Sequence, residues 1–359
     1  MSTRSIVPFG PQHPVLPEPI HLDLVIEDEK IVEAIPSIGF VHRGLESLVN
    51  KREFTEYVYV AERICGICSF LHGASYCDAV ERVMQIELPG RAKYLRTIWA
   101  EMSRIHSHLL WLGLLADAFG FESLFMQAWR IREKVLDMLE ASTGGRCIFS
   151  VNCVGGVLKD MDASMLKGFV QELDKMEIQV RAMEKTFLSD ATVNNRLRGV
   201  GILTKQQAHE LGATGPFMRA SGINRDTRKL GYYAYGDLEF EPIISNDCDS
   251  YARCEVRIRE IYQSFDLIRQ AVAKIPDGDI AVPVKGNPDG ESFVRVEQPR
   301  GEAVYYLKAD GTKFIDRFRV RTPTFANIPA MLETLKGCDY ADVPIMVLTI
   351  DPCISCTER

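Results

Sequence analysis

The chain has 359 residues, enough to bury a substantial core, and its 46% apolar and 25% charged residues have the balance of a globular protein. A formal charge of −7 argues against a nucleic-acid or anionic-lipid surface, so nucleic acid is not an expected partner. Ten cysteines fall far below the density of a secreted disulfide scaffold and suit reduced thiols.

The opening Met1-Ser2-Thr3-Arg4-Ser5-Ile6-Val7-Pro8 lacks the apolar core of a signal peptide. No apolar run reaches the roughly 20 residues that cross a bilayer, and the most apolar helical stretch, Leu109 to Phe121, carries Asp117. A soluble, cytoplasmic subunit is expected. Residues 6 to 19 hold five prolines and predict an extended segment. His21–Ile26 and Lys30–Ile35 predict two short strands joined by the acidic turn Glu27-Asp28-Glu29. After about residue 42 the period becomes helical: Ser69 to Met84, Tyr94 to Leu115, Ser123 to Leu139 and Met161 to Phe187 carry apolar residues at i, i+3/i+4 and i+7. In the last of these the stripe is Met165, Phe169, Leu173, Met176, Met183 and Phe187. Thr143-Gly144-Gly145 closes one helix, and Gly212 closes another that begins at Leu203 or Thr204. A longer helix runs from about Ser250 to Ile275 and stops at Pro276. Short strands return over residues 279–320, with hairpin signals at Pro288-Asp289-Gly290 and Ala309-Asp310-Gly311. The buried run Val343–Ile350 delivers the last cysteines. The expected fold is one mainly α domain over residues 1–359 with small β elements (α+β) at about 20–42 and 279–320, its two ends free to meet.

The stretch that organises the chain is Arg63-Ile64-Cys65-Gly66-Ile67-Cys68, together with Asp351-Pro352-Cys353-Ile354-Ser355-Cys356-Thr357-Glu358-Arg359. These are two Cys-x-x-Cys pairs with 284 residues between Cys68 and Cys353. Four thiolates converging from both ends make a soft site suited to a transition metal. A structural zinc ribbon would place its pairs some 15–20 residues apart. A thioredoxin-like pair would follow a strand, whereas the flanks of Cys65 and Cys68 read as helical. Cys77, Cys147, Cys153, Cys248, Cys254 and Cys338 read as small buried hydrophobes. His72, four residues after Cys68, shares a helix face with it and either ligates a metal or hydrogen-bonds a thiolate. Asp351 is either a turn residue ahead of Pro352 or a carboxylate held against the metal.

Read together, Arg63-x-Cys65-Gly66-x-Cys68-x-x-x-His72 and Asp351-Pro352-Cys353-x-x-Cys356-x-x-Arg359 resemble the large subunit of nickel–iron hydrogenases. The ending in Arg and the short chain resemble the membrane-associated, energy-converting (Ech-type) group, which is similar to the 49-kDa subunit of respiratory complex I. Gly10-Pro11-Gln12-His13-Pro14, His42-Arg43-Gly44-Leu45-Glu46, Arg104-Ile105-His106-Ser107-His108-Leu109 and Pro299-Arg300-Gly301-Glu302 carry the same likeness, which spans the whole chain. The complex I subunit lacks the paired cysteines.

The resemblance implies a Ni–Fe centre, its iron bearing CO and cyanide. It is held by Cys65, Cys68, Cys353 and Cys356, with Cys68 and Cys356 bridging and Cys65 and Cys353 terminal on nickel. His72 would hydrogen-bond a bridging sulfur. Glu18 matches the family's proton-relay carboxylate, and Asp351 a carboxylate lining the metal pocket, with Asp117 a further candidate. Many members end the motif in His, which helps bind magnesium with a Glu matching Glu46. Here Arg359 stands last and has no lone pair to offer, so either an ion sits on Glu46 without it or Arg359 pairs with Glu46 in its place. The arginine that hangs over the centre elsewhere falls loosely on Ala330, and Arg321 is a substitute from another position. The family often completes maturation by proteolysis after this motif, and a chain stopping at Arg359 resembles a mature product or one that never had an extension. The implied reaction interconverts H2 with protons and electrons. The implied partners are an iron–sulfur small subunit, a ferredoxin-type cluster subunit exchanging electrons with ferredoxin, and integral membrane subunits that couple the reaction to ion translocation. The expected place is the cytoplasmic face of the membrane.

Overall fold

The structure, a computed structural model, describes residues 4–359; Met1 to Thr3, on which the reading of the chain's start partly rests, lie outside the described residues. Strands β1 (Ser5–Phe9), β2 (His21–Glu27) and β3 (Lys30–Ser37) form an antiparallel sheet in that order. The proline-rich segment is therefore partly a strand, since β1 pairs along β2 from Ser5↔Ile26 to Phe9↔Leu22. Alternation explains β2: Leu22 and Leu24 face the core while their neighbours stay partly exposed.

The helical body follows with α1 (Tyr57–Glu62), α2 (Ser69–Met84), α3 (Gly90–Ala118) and α4 (Glu122–Thr143). A two-residue ribbon, β4 (Asn152–Cys153) with β5 (Gly156–Val157), leads into α5 (Ala163–Ser189) and α6 (Ala191–Leu197). Helix α5 starts at Ala163 rather than Met161 because Asp162 caps it, accepting from Met165 N at 2.7 Å. Its buried stripe uses Leu166, with Met165 at the margin. Then come α7 (Lys205–Glu210), opened by a Thr204/Gln207 capping box, α8 (Gly215–Arg219) and α9 (Ser250–Lys274).

The second antiparallel sheet is β6 (Asp289–Gln298), β7 (Gly301–Asp310) and β8 (Ile315–Arg321). Pro288-Asp289-Gly290 opens β6 and makes no hairpin; Asp289 pairs with Asp310, and the β6–β7 turn is Pro299-Arg300, between Gln298 and Gly301. That turn packs backbone to backbone on α8: a Cβ on Gly215 would lie 2.3 Å from the Gly301 Cα, so only glycine fits there. The chain closes with α10 (Pro323–Leu335), α11 (Val343–Thr349) and α12 (Ile354–Thr357), so the last apolar run is a helix.

One contiguous core runs from Phe9 to Cys356, and the two ends of the chain meet. Ile31 N donates to Cys338 O at 3.0 Å, and Val41 N to a Glu358 carboxylate oxygen at 2.6 Å. The architecture is mixed α+β and mainly helical. Among the described residues no helix is long and apolar enough to cross a membrane.

Candidate metal centre

Helix α1 ends at Glu62 and the chain loops through Cys65 to Cys68, which opens α2. Backbone N–H groups of Ile67 and Cys68 point at Cys65 Sγ, at 3.2 and 3.5 Å. At the other end Asp351 takes a left-handed conformation (φ 58) before Pro352, and the turn delivers Cys353 to the start of α12. Cys353 N donates to Thr324 Oγ1 at 3.1 Å, so the first turn of α10 backs this loop.

The two loops face each other. Cys353 Sγ lies 3.3 Å from Cys65 Sγ, Cys68 Sγ lies 3.4 Å from Cys356 Sγ, and all four side chains are buried. The sulfurs of Cys65, Cys68 and Cys356 all lie within 4.8 Å of one another, with Cys353 attached to that triad through Cys65. Hydrogen bonds from Cys353, Cys356 and Cys68 hold the Cys65 thiol well below its usual value, while burial and the neighbouring thiols push Cys356 up. Four buried sulfurs fit a soft transition metal in their donor chemistry. Of the other six cysteines Cys77, Cys254 and Cys338 are buried as expected, whereas Cys147 is exposed and Cys153 and Cys248 are half-buried; none joins a second such group among the described residues.

His72, one turn into α2, puts Nε2 3.4 Å from Cys356 Sγ and Nδ1 2.8 Å from the Tyr305 hydroxyl. Burial pushes its pKa down to about 4, so the ring is neutral. Glu18 accepts from Ile354 N and from Ser355 Oγ at 2.9 Å, which ties its carboxylate to the Cys353–Cys356 turn. A cavity of about 250 Å³ reaches Cys353 between Glu18, Ile67, Trp111, Trp129 and Arg300.

Three arginines that sequence reasoning left unassigned complete the site, although each lies in a motif it had singled out. Arg300, at the β6–β7 turn, donates from Nε to Asp351 O at 2.8 Å and places Nη2 2.8 Å from Asp351 Oδ1. Burial opposes its charge, but Asp351 and then Cys353, Cys65 and Cys68 hold the guanidinium firmly protonated. Arg104, buried in α3, anchors that turn by donating to Glu297 O at 2.8 Å and Gln298 O at 3.2 Å. Arg43 staples the two cysteine loops, donating to Arg63 O, Ile64 O and Ser355 O at 3.0, 2.8 and 3.1 Å. Long-range pairing across a fold leaves no periodic signal in the sequence.

Other candidates fall elsewhere. Arg321 pairs with Glu302 at 2.8 Å on the outer side of the sheet, so the guanidinium facing the sulfurs is that of Arg300; Ala330 is buried in α10. Asp117 is exposed at the end of α3, outside the residues lining the cavity. Glu46 accepts from Arg359 Nε at 2.7 Å, Arg319 Nη1 at 2.5 Å and Val320 N at 2.9 Å. Burial would raise its pKa, yet the two arginines hold it low. Of the two alternatives, the geometry is that of an Arg359–Glu46 pair, and two guanidiniums beside one carboxylate disfavour a magnesium ion there.

Comparison with known proteins agrees with this geometry. Residues 43–117, which hold the first cysteine pair and His72, match the nickel-dependent hydrogenase model, and residues 118–286 and 283–359 match that of the respiratory-chain NADH dehydrogenase 49 Kd subunit. The membrane-bound hydrogenase subunit alpha of Pyrococcus furiosus is 38% identical over 375 residues, covering 98% of this chain and 87% of that protein. The carbon monoxide-induced hydrogenase of Rhodospirillum rubrum is 39% identical over 362 residues, 100% of both chains. One subunit of the F(420)H(2) dehydrogenase of Methanosarcina mazei is 35% identical over 368 residues, 100% of this chain and 98% of that one. The chain belongs to the family that unites the large subunits of membrane-bound, energy-converting nickel–iron hydrogenases with the 49-kDa subunit of complex I. That is an oxidoreductase family whose members are subunits of multi-subunit assemblies.

Proposed function

We propose that the chain is the catalytic subunit of a nickel–iron hydrogenase, with Cys65, Cys68, Cys353 and Cys356 holding the metals. The observation that carries this reading is the convergence of two buried cysteine pairs from opposite ends of the chain, at 3.3 and 3.4 Å. The sulfurs of Cys65, Cys68 and Cys356 lie within 4.8 Å of one another and Cys353 joins them through Cys65 at 3.3 Å, so all four thiolates would hold the group.

When bound, the Ni–Fe centre, its iron carrying CO and cyanide, supplies the chemistry of H2 ⇌ 2H+ + 2e−. The chain's own residues manage protons and charge. Cys353 Sγ, which shares a cavity with Glu18, is the base at the metal edge. Glu18, fixed on the Ser355 hydroxyl, takes that proton outward, directly or through one water. Asp351 holds Arg300 beside the sulfurs, and the guanidinium offsets their negative charge. The mainly apolar cavity gives H2 an approach to Cys353. Electrons leave through a partner subunit carrying an iron–sulfur cluster, because the six other cysteines form no cluster site among the described residues. Further partners are a ferredoxin-type cluster subunit that exchanges electrons with ferredoxin and membrane subunits that couple the reaction to ion movement at the cytoplasmic face.

The broad match to the 49-kDa subunit favours a second reading, a metal-free structural subunit like that of complex I. It leaves the four converging thiols without a purpose. Cys65→Ser distinguishes the two: the hydrogenase reading predicts loss of both nickel incorporation and H2 turnover. Full nickel content or retained activity would remove Cys65 from the site.

A further inference from the structure

His72 presents one ring nitrogen to sulfur and the other to a phenol. Tyr305, on β7, is fully buried; its hydroxyl lies 2.8 Å from His72 Nδ1 and accepts from Gln298 Nε2, also at 2.8 Å. The rings meet edge to face, with centroids 5.9 Å apart at 76°. Pairing of Tyr305 with Val294 and Val320 on the flanking strands fixes the phenol in place.

We infer that Tyr305 is a positioning residue that fixes the Nε2–H tautomer of His72, so that the imidazole donates to Cys356 Sγ. This rests on the hydrogenase reading above. A phenol has one proton. With its oxygen already accepting from Gln298, that proton is free to point at Nδ1 of His72. Nδ1 then accepts, and the imidazole proton resides on Nε2, which faces Cys356 at 3.4 Å. The opposite tautomer would aim a nitrogen lone pair at the sulfur, and a metal-bound thiolate has no proton to give it. Gln298 Nε2 carries two N–H donors; the one to Tyr305 is short, at 2.8 Å, while the approach to His72 Nε2, at 3.5 Å, lies at the outer limit of a hydrogen bond and competes only weakly with the sulfur for that nitrogen. The relay Gln298 → Tyr305 → His72 → Cys356 thus runs in one direction, each donor set by the one before it.

The test uses the assembled, metal-loaded complex and the infrared CO and cyanide bands. Removing a donor from a bridging thiolate makes the metals more electron-rich, so Tyr305→Phe shifts these bands to lower wavenumber at unchanged nickel and iron content. Turnover falls about tenfold. His72→Leu shifts them the same way, and the double variant moves no further than His72→Leu alone. Bands at the wild-type position in Tyr305→Phe, or shifts that add in the double variant, would overturn the inference. A measurement on the unmutated complex guards against a variant that loads poorly: nitrogen NMR of histidine-labelled protein, with His72 assigned by its absence in His72→Leu. A bare Nδ1 supports the relay and a protonated Nδ1 overturns it. Absence of CO and cyanide bands from the wild type would overturn the hydrogenase reading, and the inference with it.

Discussion

At the residue scale, one guanidinium lies beside three of the four sulfurs, those of Cys353, Cys65 and Cys68. Arg300 is buried, is gripped by Asp351 through both its backbone and carboxylate oxygens, and lines the cavity that ends at Cys353. Lysine could replace the charge but not the fork that meets two oxygens at once. Arg300→Lys is therefore expected to load metal normally and lose about 10- to 100-fold in H2 turnover, measured as kcat beside metal content. Turnover equal to wild type would make Arg300 a bystander. This residue also marks where the sequence stops being legible. The cysteines and His72 could be read from motif spacing, and Glu18 only from the resemblance. Arg300 could not, because its role depends on a two-residue turn between β6 and β7 that Gly215 and Arg104 hold from distant parts of the chain. The Glu46–Arg359 pair was visible only as an open choice; in the structure the two side chains meet, and Arg319 and Val320 also converge on that carboxylate.

At the element scale, α3 is the strut of the molecule. It is buried nearly all round, including its polar residues Arg96, Glu101, Arg104, His106 and His108. Buried charges persist only where they are paired. Glu101 takes up Arg104 at 3.3 Å, Arg228 at 3.2 Å, the Tyr235 hydroxyl at 2.5 Å and Ser264 Oγ at 2.6 Å. Glu101→Gln would take the paired carboxylate from Arg104 and leave Arg228 with Asp226 alone, and is expected to destabilise the assembled protein by about 3 kcal/mol, read from its denaturant midpoint. An unchanged midpoint would mean the network is redundant. Apolar periodicity located α3, α4, α5 and α9 within a few residues, since each buries a stripe. It said nothing of the ion network, whose partners come from α8, α9 and the segment at 226–235. It also missed β1, whose prolines masked an edge strand.

At the scale of the whole molecule, the fold is a clamp that brings residues 63–72 and 351–359 together around one buried site, with α3 and the β6–β8 sheet as its frame. Buried ionisable groups make that clamp acid-sensitive. Burial, then Arg132, pushes His106 down to about 3, while Arg219 and His108, working against burial, hold Glu260 at about 2. Both lie below their unfolded values of about 6.5 and 4.3, so the unfolded chain takes up protons first as pH falls. Their contribution is complete above those values. It declines from pH ~6.5 downward for His106 and only below about pH 4 for Glu260. The melting temperature should therefore fall between pH 7 and 5, and His106→Leu should flatten that part of the profile. A melting temperature that stays level or rises on acidification would contradict the assignment.

The measurement that bears most directly on the central claim is the nickel, iron and zinc content of the purified complex, taken with its infrared spectrum. The hydrogenase reading predicts one nickel per chain together with CO and cyanide stretching bands, both lost in Cys65→Ser. Zinc alone in catalytically active complex, with no diatomic-ligand bands, would contradict it.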